Sequence, residues 1–254
     1  MPDYIGEYEI RARLIPALLA VMPAVALAAV LIAWKDFNLT DAIVSLAILI
    51  LVVVFADLAR RAGRAIEPSL YFEMGGKPSV VFLRHRDSNF DPESKKRYLF
   101  FLARKLQSKA PTAAQEDEHP HDADVFYERC STWLRERTRD TNNYRILFLE
   151  NCTYGFRRNL LGIKYWGLAL NVVIVLASLF CLVFGPFELF NLTHKQFGII
   201  FMVAAVHALF FMLGVNKRGV FDASRTYGRQ LILSCEGQIA NDETTGSFRP
   251  TARR

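Results

Sequence analysis

Apolar residues fall into two long blocks, Leu14 to Leu58 and Tyr165 to Val215, and charged residues collect between the blocks and after them. Each block holds two apolar runs of about 20 residues, the length at which a helix rising 1.5 Å per residue crosses a hydrocarbon core about 30 Å thick. The first run, Leu14 to Trp34, is interrupted by Pro16 and Pro23. Pro16 falls in the first turn, where a missing N–H is tolerated, whereas Pro23 falls mid-run and predicts a kink. The second run, Leu39 to Leu58, is bracketed by Asp41 and Asp57. The third, Tyr165 to Phe184, opens on Tyr165 and Trp166, residues suited to a membrane interface, and ends at Gly185-Pro186. The fourth, Phe197 to Val215, stops at Asn216-Lys217-Arg218. The pattern predicts an all-α membrane protein: four transmembrane helices, as two hairpins, flanking a mainly helical domain with a short extended segment.

Both short loops repeat one tetrapeptide, Phe37-Asn38-Leu39-Thr40 and Phe190-Asn191-Leu192-Thr193. Asn and Thr are good N-caps, and Thr193 with Gln196 makes a capping box, so both loops are expected to start helices. The residues before the first run include Asp3, Glu7 and Glu9, and the run is longer than a signal-peptide core. It is therefore expected to remain as an anchor.

Between the blocks, Gly75-Gly76-Lys77-Pro78 reads as a turn. Ser79 to Leu83 is short, apolar and rich in valine, which suggests the extended piece. Asp91-Pro92-Glu93 starts a helix with an N-cap, a proline at the first position and an acid in the first turn. That helix should reach Gln107 with Tyr98, Leu99, Phe101, Leu102 and Leu106 on its inner face. Ser108 to His121 reads as an exposed acidic loop. Asp122 is expected to cap a second helix, about 124–139, with Phe126, Cys130, Trp133 and Leu134 inward. A third helix, from Tyr144 to about Leu161, should lead almost directly into the third span. After Lys217, Val220, Phe221, Tyr227, Leu231 and Ile232 suggest a short amphipathic helix, and Asn241 to Arg254 reads as a disordered tail. The expected organisation is residues 1–59 as the first hairpin, 60–163 as a cytosolic domain, 164–216 as the second hairpin and 217–254 as a cytosolic tail.

Net charge and its placement add orientation. The 254-residue chain carries a net charge of +6. Arg11, Arg13, Arg60, Arg61, Arg64, Arg157, Arg158, Lys164, Lys217 and Arg218 all flank one side of the runs, whereas the short loops hold only Lys35 and Lys195. The positive-inside rule then places both termini and the central domain in the cytoplasm. The four cysteines form no C-x-x-C pair, which argues against a zinc site or a disulfide framework.

No nucleotide-hydrolysing, serine-hydrolase or metalloprotease motif occurs, so no catalytic residue and no cofactor is expected. His119, His121, Asp122 and Asp124 are potential metal ligands, but they lie in a breaker-rich stretch without the ordered support that ligands need. Basic clusters are more suggestive. Arg84, His85 and Arg86 follow the extended piece, and Arg137 and Arg139 follow a helix. Together they form a candidate binding site for an anionic ligand, since the guanidinium fork suits phosphate. The competing reading is surface solubility. Arg157, Arg158 and Lys164 lie where the third helix meets the membrane and are candidates for gating or coupling; setting topology is the simpler role. Within the spans, His207 and Asn171 are candidates for lining a pore, against a plain role in helix–helix hydrogen bonding.

Several phrases carry a resemblance: Lys77 to Asp87, Lys96-Arg97-Tyr98, Trp133 to Asp140, and Glu150-Asn151 with Tyr154 to Gly162. Over about Gly75 to Lys164 the chain resembles bacterial four-span membrane proteins that include effectors of nucleotide-signalling antiphage systems, such as Hailong and the CBASS membrane effectors. The resemblance implies a multi-pass protein of the bacterial inner membrane acting in antiviral defence. It would be a homo-oligomeric ion channel whose cytosolic domain binds a nucleotide or oligonucleotide signal made by a partner nucleotidyltransferase. It supplies no catalytic residues. The alternative class is a membrane-anchored scaffold or enzyme that acts without a pore.

Overall fold

The computed structural model describes residues 6–32, 38–184 and 193–244. Among them every regular element is a helix. Trp34, Lys35, the Phe37 and Phe190–Leu192 parts of the repeated tetrapeptide, Gly185-Pro186 and the tail beyond Thr244 lie outside the described residues.

Four helices are long and apolar enough to cross a membrane. α1 (Glu7–Leu31) contains a π-helical turn over Ile10–Leu14 just before Pro16. α2 spans Leu39–Glu73. α7 (Arg145–Phe184) runs through 40 residues without a break. α8 (His194–Gly214) ends in a second π-helical turn, Phe210–Gly214. The remaining helices are α3 (Pro78–Val81), α4 (Pro92–Lys105), α5 (Ala113–Glu118), α6 (Pro120–Arg137) and α9 (Lys217–Thr244).

The chain divides into two compact units, Met1–Pro68 with Cys152–Val220 and Ser69–Asn151 with Phe221–Arg254. The cuts fall inside α2, α7 and α9 rather than at the edges of the apolar runs, so residues 60–68 and 152–163 pack with the membrane helices.

In the membrane unit, small residues let backbones meet, because lipid supplies no hydrophobic force between helices and close packing must do the work. On α1, Ala12, Pro16, Ala20, Ala24 and Ala28 recur every four residues and are all buried. Where α2 meets α7, a Cβ on Gly162 would lie 2.4 Å from the Gly63 nitrogen, so only glycine fits. The opposite faces carry exposed Ile43, Leu46, Ile50 and Val53 on α2 and Val172, Val173, Leu176 and Phe180 on α7, a surface suited to hydrocarbon. Asn38 Oδ1 accepts the Thr40 and Asp41 amides at the head of α2, and Thr193 with Gln196 forms the expected capping box at the head of α8.

The second unit packs α4, α6 and α9 around Phe101, Leu102, Tyr127, Leu134, Leu231 and Ile232. Asp91 caps α4 through the Ser94 amide at 2.8 Å, with Pro92 at the first position, as its sequence requires. Several expectations need correction. The stretch Ser79–Leu83 is not extended: Pro78–Val81 forms a single helical turn started by the proline and packed into the core. Ser108 to His121 is not a bare loop, because the Thr112–Gln115 capping box starts α5, and α6 begins at Pro120 ahead of Asp122. α4 ends at Lys105, and Gln107 takes a left-handed φ of 49° that stops it. The segment after Lys217 is a 28-residue helix, whose apolar face closes the core of the second unit through Leu231, Ile232, Cys235 and Ile239.

Candidate functional site

The second unit holds an open groove of about 1600 Å³ between the Arg84–Ser88 turn, α4 and the segment leading into α5. Its lining combines apolar Leu99, Phe100, Ala103 and Pro111 with cationic Arg86, Lys96, Arg97, Arg104 and Lys109, which outnumber the carboxylates Asp87, Asp91 and Glu93.

Two buried charges shape the turn on one side of this groove. Lys95, buried on α4, donates from Nζ to the Arg84 carbonyl at 2.7 Å and also to the Asp87 carbonyl. Burial lowers its pKa, with Asp87 and Glu116 partly countering that shift. Glu116, only 1% exposed, accepts the His85 amide at 2.8 Å and the Tyr127 hydroxyl at 2.7 Å. Burial alone would raise the Glu116 pKa, but the Tyr127 hydroxyl and the His85 and Arg86 amides outweigh it, and the net shift is downward. An ammonium thus takes the turn's carbonyls and a carboxylate takes its amides, so the backbone of residues 84–87 is satisfied at both poles. The His85 ring nitrogen Nε2 sits 2.9 Å from the Pro111 carbonyl and ties the turn to the far wall.

Arg84 is committed elsewhere. Its guanidinium forms a two-point pair with Asp124, at 2.8 and 2.7 Å, and donates to the Gly75 carbonyl at 2.8 Å. That contact holds the Gly75-Gly76 turn, where φ values of 75° and 133° require glycine. Arg86 is half exposed at the groove, with Nε 3.8 Å from Glu116 Oε1. Arg137 lies over the Trp133 ring at 5.5 Å, and Arg139 pairs with Glu136 at 2.7 Å. Neither lines the groove. The structure therefore brings His85 and Arg86 together with Lys96, Arg97, Arg104 and Lys109, and leaves Arg137 and Arg139 apart. Arg97 and the Tyr98 hydroxyl both engage Glu236 on α9. Burial, then the Glu236 hydrogen bond, pushes the Tyr98 phenol up to about 12. Lys96 and Lys109 make no ion pair among the described residues.

The other candidates lie in the membrane unit. Arg158 donates from Nη1 to Glu67 at 2.9 Å, and from Nε and Nη2 to Asn159 Oδ1 at 3.2 and 3.0 Å. Tyr154 also donates to Glu67, at 2.6 Å. Pro16 has no N–H to close onto the Ala12 carbonyl, and Asn159 Nδ2 donates to that carbonyl at 2.6 Å. Arg157 donates to the Gly219 carbonyl at 3.1 Å. Lys164 donates to the Met212 and Val215 carbonyls at 3.3 and 2.8 Å, where a cation complements the helix terminus. Asn171 Nδ2 bridges α7 to the Ala204 carbonyl of α8 at 2.9 Å, and His207 is buried against Phe211. Both are buried within the membrane unit.

Sequence reasoning overlooked Glu116, Glu67 and Asn159. The Thr112–Gln115 capping box marked the helix that carries Glu116, but nothing local marked its burial. No family model, curated protein or solved structure matches this chain.

Proposed function

We propose that this protein is a ligand-controlled membrane effector whose second unit lies in the cytoplasm and binds an anionic nucleotide or oligonucleotide in the basic groove. The carrying observation is that groove: cationic and apolar side chains line a space large enough for an elongated ligand, with Phe100 for a base and Arg86, Lys96, Arg104 and Lys109 for phosphates. The resemblance over Gly75–Lys164 supports a role in antiviral defence in the bacterial inner membrane, with the signal supplied by a nucleotidyltransferase. In this reading α7, continuous over Arg145–Phe184, is the covalent route by which ligand binding would reach the spans. A homo-oligomeric channel is the output this reading expects, with both termini cytoplasmic.

The test uses the full chain in detergent and in liposomes. Calorimetry with a cyclic dinucleotide should give saturable binding that Lys96→Glu and Arg104→Glu each weaken at least tenfold. Ion flux from proteoliposomes should depend on the same ligand. Binding unchanged in both variants would overturn the site. Binding without any flux would favour a scaffold.

A further inference from the structure

Where the apolar run of α7 begins and that of α8 ends, the membrane unit holds a cavity of about 230 Å³. Phe156 and Leu160 from α7, with Phe210 and Val215 from the end of α8, make its walls apolar, and Arg157 and Asn216 supply its polar side chains. No carboxylate among the described residues lines it. The negative end of α8 does not compete for Arg157, because Lys164 takes the Met212 and Val215 carbonyls. Arg157 is exposed, donates once from Nη1 to the Gly219 carbonyl at 3.1 Å, and makes no ion pair among the described residues. The rest of its guanidinium fork is open to an anion. Asn216 Nδ2 has only a long contact, 3.5 Å, to the Gly214 carbonyl. The depth of the cavity follows from its neighbours. Exposed Leu209, Met212 and Leu213 lie on the span side of Val215, and exposed Lys217 and Arg218 lie just beyond it. Hydrocarbon covers the first group and headgroups the second.

We propose that this cavity binds an anionic phospholipid. The lipid phosphate pairs with Arg157, the Asn216 side-chain amide is a second donor, and the upper stretch of one acyl chain lies against Phe156, Leu160 and Phe210. Size favours a lipid over a soluble ligand. The cavity falls below the roughly 300–1,000 Å³ of sites that enclose a drug-sized molecule, so it takes part of a molecule whose remainder stays in the bilayer. Charge favours an anionic lipid over a zwitterionic one, since a choline group would meet cations and no carboxylate. Basic pockets between membrane helices take anionic headgroups for this reason. This inference needs neither the groove of the second unit nor its ligand.

The experiment titrates the full chain, in a neutral detergent, with phosphatidylglycerol, phosphatidylcholine or inorganic phosphate. Bound lipid is followed by native mass spectrometry and stability by thermal unfolding. Phosphatidylglycerol should bind saturably, at least about tenfold more tightly than phosphatidylcholine, and inorganic phosphate should not protect. Arg157→Gln should remove the preference. Gly214→Leu should weaken binding of both lipids, because a Cβ there meets the Phe210 ring at 3.4 Å and the longer side chain occupies the cavity. Both variants change exposed residues and should melt near wild type without lipid. Arg64→Gln removes an exposed cation of the same unit outside the cavity and should leave binding unchanged. Equal retention of the two lipids would overturn the site, as would a preference that survives Arg157→Gln. Should Arg157→Gln fail to fold, undiminished binding in Gly214→Leu overturns the site by itself. An equal loss in Arg64→Gln would show diffuse charge attraction, and protection by inorganic phosphate would show a free-anion site; either overturns the lipid assignment.

Discussion

Replacing Glu116 by Ala should destabilise the second unit severely although no acidic surface group is removed. The carboxylate is 1% exposed and accepts the His85 amide at 2.8 Å and the Tyr127 hydroxyl at 2.7 Å. Tyr127 is itself fully buried, so its hydroxyl has no route to water once Glu116 is gone. Hydrogen bonds to a charged acceptor contribute about 1.5–3 kcal/mol each, and orphaned donors add their desolvation cost. The variant also leaves buried Lys95 without one of the two carboxylates that favour its charge. Losses of about 3–5 kcal/mol follow, more than 10 °C in melting temperature for a unit of about 100 residues. The assay is thermal unfolding of the full chain in detergent, followed by circular dichroism, with Glu116→Gln and Tyr127→Phe alongside. Tyr127→Phe removes one hydrogen bond to the carboxylate and should cost about 1.5–3 kcal/mol. The pH dependence follows from the downward shift of Glu116. A carboxyl with a depressed folded pKa contributes stability above its unfolded value, here 4.5, and loses it as pH falls through the folded value. Wild type should therefore lose more stability than Glu116→Gln on acidification below that value. A Glu116→Ala variant melting within about 2 °C of wild type, a fifth or less of the expected loss, would refute the buried-acceptor argument.

Gly162→Ala should destabilise the membrane unit by about 1–3 kcal/mol or more, since its Cβ would meet backbone atoms of Gly63 that cannot move aside, whereas Gly198→Ala, with open space around it, should be neutral or stabilising; detergent melting separates them. Asn159→Leu should cost about 1–3 kcal/mol by orphaning the Ala12 carbonyl beside Pro16, and Pro16→Ala in the same chain should restore part of that loss in the same assay. Cysteines at Asn38 and Lys195 in a cysteine-free chain should react with an impermeant maleimide in intact cells and a cysteine at Lys109 should not; the reverse pattern would invert the topology. The Cys130 and Cys235 thiols should be slow to alkylate in folded protein, because burial pushes Cys130 up to about 12 and Cys235 upward as well; rapid alkylation of either would contradict their burial.

The sequence alone determined what depends on neighbours along the chain. Apolar runs of membrane-crossing length set the four long helices, and Asn38, Asp91-Pro92 and Thr193–Gln196 set the starts of α2, α4 and α8, because caps act within three residues. It did not determine which charges are buried. Glu116 sits in a stretch that reads as solvated acid, and Arg84 in one that reads as a phosphate site. Only the fold turned the first into an anchor for the His85 amide and the second into a partner for Asp124, 40 positions away. The same holds for the prolines of α1. Composition shows that Pro16 and Pro23 each withhold a backbone N–H, but only the packing of α7 decides that Asn159 meets the carbonyl freed at Ala12. A local pattern fixes which backbone groups lose their partners, and long-range packing chooses the side chains that replace them, since those contacts join residues more than a hundred positions apart.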